Sequence, residues 1–184
     1  MVQIDQNKLQ AAIDAYKKHF PTKIGDEIYK WKAVKCFQDN WDIDAEDFAE
    51  MFWAATGKTE NLITSINRFP RKMLYEFAKL EQERVRDMFK LLFDEKLELE
   101  QRIREFIKEA ESLCGKHFPG KMHYQDLNSI STYLWMRYPD KYFIFKFSEV
   151  KRAISVLNAN FEVKKGASIS KVTSAFEMFE LMAT

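Results

Sequence analysis

A chain of 184 residues with 29 Lys plus Arg against 28 Asp plus Glu has a formal charge of +1, which excludes a protein that coats polyanions by bulk charge. Hydrophobic residues at 46% and aromatics at 15% provide the apolar area for a core and exclude disorder over most of the length. Five Gly and four Pro are too few for the turns of a β-sandwich or barrel, and no glycine-rich loop of a doubly wound α/β fold is present.

In chain order, Ile4, Leu9, Ala12, Ile13, Tyr16 and Phe20 recur at helical spacing, with Asp5 as N-cap, and predict a first helix. Ile28, Trp31, Val34, Lys35 and Gln38 predict a second, opened by Asp26 and Glu27 near its positive end. Asp44 followed by Asp47 reads as the capping arrangement of a third, with Phe48, Met51, Phe52 and Ala55 on one face and Gly57 as its stop. Residues 61–69 read as a short helix, and Pro70 starts the next, whose core face is Met73, Leu74, Phe77 and Leu80. Val85, Met88, Phe89, Leu92 and Phe93 continue the pattern. Residues 97–113 form a heavily charged helix ending at Gly115. Residues 125–138, 148–157 with Ser148 as N-cap, and 169–182 complete the set.

Only Lys141 to Phe147 looks extended. The expected fold is therefore mostly α, a compact multi-helix domain with at most a minor strand element. One domain over 1–184, or two helical lobes of about 1–114 and 115–184, fits this length. Each proline follows an aromatic residue and stands two positions before a lysine, as in Phe20-Pro21-Thr22-Lys23. The physical reading is punctuation: the residue before Pro leaves the helical region and the ring anchors the corner. The alternative is four lysines presented along a surface.

Charge is uneven. Residues 1–58, 59–114 and 115–184 carry net −2, −1 and +4. Between Cys36 and Gly57 stand six acids and no base. In the last third Lys116, Lys121, Lys141, Lys146, Lys151, Arg152, Lys164, Lys165 and Lys171 sit among His117, His123, Tyr124, Trp135, Tyr138 and Tyr142. If exposed, such interleaving makes a nucleic-acid surface; otherwise it is a basic face over a buried aromatic core.

Several chemistries are missing. There is no GxxxxGK[ST], no HExxH and no GxSxG. Cys114, His117 and His123 form a C-x2-H-x5-H set without a fourth ligand. Cys114 reads as a small buried hydrophobe rather than a nucleophile. The acids from Asp39 to Glu50 lack EF-hand spacing and suit a helix start. Glu149-Val150-Lys151 begins a helix, where a nuclease carboxylate set belongs on a strand. No catalytic residue, metal or cofactor is expected, and the chain is read as not an enzyme. Two distant cysteines, no signal-peptide pattern at MVQIDQNKLQ and no run of about 20 apolar residues lead to the expectation of a cytoplasmic chain that binds no membrane.

Two segments carry a resemblance. One is Tyr29-Lys30-Trp31-Lys32-Ala33-Val34-Lys35-Cys36-Phe37-Gln38-Asp39-Asn40-Trp41-Asp42-Ile43-Asp44-Ala45-Glu46-Asp47-Phe48. The other is His123-Tyr124-Gln125-Asp126, with Ile130-Ser131-Thr132-Tyr133-Leu134 and Arg137-Tyr138-Pro139-Asp140-Lys141-Tyr142 after it. Both resemble the region that precedes the AAA+ motor in McrB-like ATPases of modification-dependent restriction systems. Phe69-Pro70-Arg71-Lys72-Met73 fits a corresponding proline-started helix. The resemblance covers about residues 20 to 180. It implies an N-terminal, non-catalytic recognition domain of a longer protein, whose C-terminal motor hydrolyses nucleotide and whose partner subunit is a nuclease. No motor or base-reading residue carries over.

The expected function is thus a DNA-recognition module that reads modified DNA; the alternative is a protein-interaction or assembly module of the same kind of defence ATPase. Candidate phosphate contacts are Lys116, Lys121, Lys141, Lys146, Lys151 and Arg152. Candidates for stacking on or reading a base are Tyr124, Gln125, Trp135 and Tyr138, with Asp126 either beside them or capping its helix.

Overall fold

The computed structural model describes residues 1–63, 69–164 and 169–183, without the side chains of Lys23 and Asp26. Within them the chain is helical, with no strand. Lys165 and part of the helix expected over 61–69 lie outside the described residues.

The first two expected helices are one. Helix α1 runs from Gln6 to Asn40 with Pro21 inside it, capped by Asp5, whose carboxylate accepts from the amides of Asn7 and Lys8. At 1.5 Å per residue it is about 52 Å long. An interior proline removes one i→i−4 bond and crowds the preceding turn. It is accommodated here because the central span is exposed and water can satisfy the freed carbonyl. At the other three prolines the backbone half of the expectation holds, although the Phe69 ring stays exposed. Phe69, Phe118 and Tyr138 occupy helix-end positions with ψ of 46°, 58° and 71°.

Helix α2 is Phe48–Ala55, capped by Asp47, which accepts from the Glu50 amide. Asp44 is not its cap: its own amide donates to Asp42 in the turn before the helix. Helix α3 is Glu60–Ile63, and α4 is Pro70–Leu80 with proline in its first turn. Helix α5 is Gln82–Phe93. Helix α6, Leu99–His117, passes through Gly115, where nothing crowds the glycine. It stops instead before Pro119, and Gly120 with φ +78° closes a turn in which the Lys121 amide donates to the Phe118 carbonyl at 3.0 Å.

Helix α7 is Leu127–Arg137, opened by a reciprocal pair in which Asp126 accepts from the Ser129 amide and Ser129 accepts from the Asp126 amide. Helix α8, Phe147–Leu157, has Lys146 rather than the expected Ser148 at its N-cap position, without a side-chain cap bond. Helix α9 is Ser170–Ala183. The expected strand is absent: the extended segment has no sister strand among the described residues, and Phe145 bonds instead to side chains of α7. The Phe145 amide donates to Ser131 Oγ at 2.8 Å and Asn128 donates to the Phe145 carbonyl.

Phe89 centres the core. Its ring meets Trp41, Phe48, Phe52, Phe93, Phe106 and Tyr133, at centroid distances from 5.0 to 6.1 Å. Around it α5 packs on α6 and α4, α2 on α4 and α1, and α7 on α1 and α3. The ends of α1 are anchored separately. At its start the Val2, Gln3 and Asp5 amides donate to Glu177, Asn160 and the Leu157 carbonyl. At its end Ala33, Val34 and Phe37 are buried in the core. Between these anchors α1 crosses in solvent.

Candidate functional site

The sequence-predicted cations divide into two groups. Lys116, near the end of α6, is tied to Glu81 at 2.7 Å, and His117 joins the same carboxylate. These partners hold the Glu81 carboxyl down at about 2. Lys141 is tied to Glu95 at 2.5 Å, and that contact raises the Lys141 pKa. By contrast, Lys121, Lys146, Lys151 and Arg152 make no ion pair among the described residues. Lys121 is exposed in the turn after α6, Lys146 is half-buried at the start of α8, and Lys151 and Arg152 are exposed side by side on α8. Val150 and Leu157 bury the opposite face of α8 and fix its orientation.

The base-reading candidates are mostly used by the fold. Gln125 is buried, donating to the Pro70 carbonyl at 2.9 Å and the His123 carbonyl at 3.0 Å, and accepting from the Tyr133 hydroxyl at 3.1 Å. Both ends of its amide are occupied, so in this arrangement it offers nothing to a base edge. Trp135 is buried against Trp31, ring centroids 6.0 Å apart. Tyr138 is half-buried at the end of α7; its hydroxyl donates to the Phe93 carbonyl at 3.2 Å and its ring meets Phe93 and Tyr142. Tyr124 has φ +57° and sets its half-buried ring edge-on to Phe69. Its neighbour His123 accepts the Gln125 amide proton on Nδ1, and burial lowers its pKa, which favours the neutral ring.

The cysteine and histidines do not converge. Cys114 is buried, its thiol directed at the Lys121 carbonyl at 3.3 Å and its pKa raised by burial. His117 turns to Glu81 and His123 to its own loop. Among the described residues no group of three or more His, Cys, Asp or Glu is placed to hold a metal ion. An open groove of about 380 Å³ lies among Trp41, Asp42, Ile43, Lys90, Phe93, Asp94 and Arg137 and includes none of the predicted site residues.

Sequence reasoning missed two buried arginines. Arg86 donates to the Ile43 and Ala45 carbonyls and pairs with Glu83, pinning the acid-rich loop before α2. Arg102 donates to the Leu92 carbonyl and to Tyr142, whose hydroxyl bonds Glu95. One charge among many on a charged helix gives no signal of burial. Also missed was the exposure of α1: Tyr16, Phe20, Ile24, Ile28 and Trp31 keep 62%, 39%, 45%, 40% and 59% of their surface in water. Their helical spacing is that of a core face.

The chain matches no protein-family model, no curated protein and no solved structure. No described helix is long and apolar enough to cross a membrane.

Proposed function

We propose that this chain is a non-catalytic DNA-recognition module of a McrB-like restriction ATPase, and that it contacts duplex phosphates through Lys121, Lys146, Lys151 and Arg152. The observation that carries this reading is that these four cations lack acidic partners among the described residues, whereas Lys116 and Lys141 are neutralised by Glu81 and Glu95. Adjacent Lys151 and Arg152 on a helix whose other face is buried suit a backbone contact that positions a duplex without reading sequence. The resemblance to McrB-like proteins supplies the rest of the proposal: a C-terminal AAA+ motor, a nuclease partner and modified DNA as target.

The test is a salt-titrated binding assay on duplexes with unmodified, methylated and hydroxymethylated cytosine. Salt-sensitive binding is expected. Lys151→Glu with Arg152→Glu should weaken it and reduce the log–log salt slope by about 1.8, or 0.9 per lost contact. Lys116→Glu should change it less. No binding to any duplex at low salt rejects the reading and favours the assembly-module alternative.

A further inference from the structure

The acidic total of the first third conceals a basic span. Residues 14–35 hold six lysines against three acids, because six of the other seven acids gather in 39–50. The same span carries the most exposed aromatic rings of α1, Tyr16 at 62% and Trp31 at 59%. Here basic residues and aromatics interleave in solvent, as the candidate rings of the last third do not.

We infer that the exposed span of α1 binds single-stranded nucleic acid, by stacking bases on Tyr16, Phe20 and Trp31 and holding phosphates with Lys17 and Lys32. At 100° per residue the three rings fall within about 60° of one another, and Lys17 and Lys32 lie along one flank of that line. Lys17, Lys18 and Lys32 are exposed and make no ion pair among the described residues. The rings are held in place: Trp31 leans on buried Trp135 at 6.0 Å, and Tyr16 and Phe20 brace each other at 5.4 Å. Rings so fixed lose little freedom when a base stacks on them.

The ligand is a single strand because stacking needs an open base face, which a duplex hides. A second copy paired along α1 fits less well. The apolar residues at 16, 20, 24, 28 and 31 follow the straight helix period rather than a heptad, Pro21 interrupts the middle, and net positive charge on both copies repels. The inference shares with the proposed function only the class of ligand, and it uses a different surface.

The test is fluorescence-anisotropy titration of the whole chain with labelled oligothymidylate and oligouridylate of about twenty nucleotides, beside the duplex assay. Salt-sensitive binding with quenching of tryptophan emission is expected. Trp31→Ala and Tyr16→Ala should each weaken it about ten-fold, the scale of one lost base stack. Trp31→Phe should retain most of it. Lys17→Gln with Lys32→Gln should lower the salt slope by about 1.4. Far-UV circular dichroism confirms that each exposed-site variant folds. Strand binding that ignores these variants overturns the inference. So does failure to bind either strand, whether the chain instead binds phosphatidylserine vesicles or self-associates in a Phe20-dependent way. Duplex binding retained while strand binding fails leaves the duplex reading standing; the converse leaves only this one.

Discussion

The aromatic cluster around Phe89 and the central span of α1 are written in the same pattern, apolar residues three and four apart, and have opposite fates. Phe89 is buried among six rings, one from its own helix and five from four other segments. Tyr16, Phe20 and Trp31 lie on the part of α1 that stays largely in water, although Trp31 leans on Trp135 of α7. Periodicity defines a face, but only the path of the rest of the chain decides whether that face meets protein or water. The two regions also differ in charge. The core face of α5 has one buried cation, Arg86, fully bonded, whereas the α1 face is bordered by lysines left in solvent.

The contrast is sharpest in Phe89→Ala, expected to cost about 3–5 kcal/mol in denaturant unfolding, because six rings cannot collapse into the space. A loss under about 1 kcal/mol would mean that the core is loosely packed. Pro21→Ala should act on the other region. Restoring the missing helical bond adds up to about 3 kcal/mol to the local opening free energy of amides near position 21, read by hydrogen exchange, with a smaller effect on global unfolding. Unchanged exchange would mean that α1 does not run through Pro21 in solution.

Tyr133→Phe should cost about 1–3 kcal/mol, since it leaves the buried Gln125 carbonyl oxygen without its donor. Acid titration adds a weaker effect. Glu81 has its pKa lowered from 4.5 to about 2, so the stability its contacts contribute is complete above about pH 4.5 and lost as pH falls toward 2. Glu81→Gln should flatten that part of the stability–pH curve. Smallest of all, Tyr16→Ala should change global stability by no more than about 0.5 kcal/mol, the behaviour of a ring already in water.

Much of the helical layout was legible. Pro70 in a first turn, Asp5 as a cap and the helix ends before or at the prolines at 70, 119 and 139 follow from local sterics and unsatisfied amides, which a sequence displays directly. Gly115 and Pro21 misled because each is only a local penalty, and flanking helix with anchored ends overrides it. The candidate site was less legible. Lys116 and Lys141 are neutralised by Glu81 and Glu95, which lie 35 and 46 positions away, and Gln125 is occupied by Pro70 and Tyr133. Such pairings depend on which helices meet, information that residue spacing does not hold.

The fixed ends of α1 have a mechanical consequence. With one end held, a bend of about 10° at Pro21 would swing the start of the helix by about 4 Å, given a rise of 1.5 Å per residue. That start is fastened to Leu157, Asn160 and Glu177, and the far end to the buried cluster around Phe37. The helix therefore acts as a tie rod. A load on its exposed middle that bends it further at the proline is delivered as a pull on α8 and α9, and one that straightens it as a push.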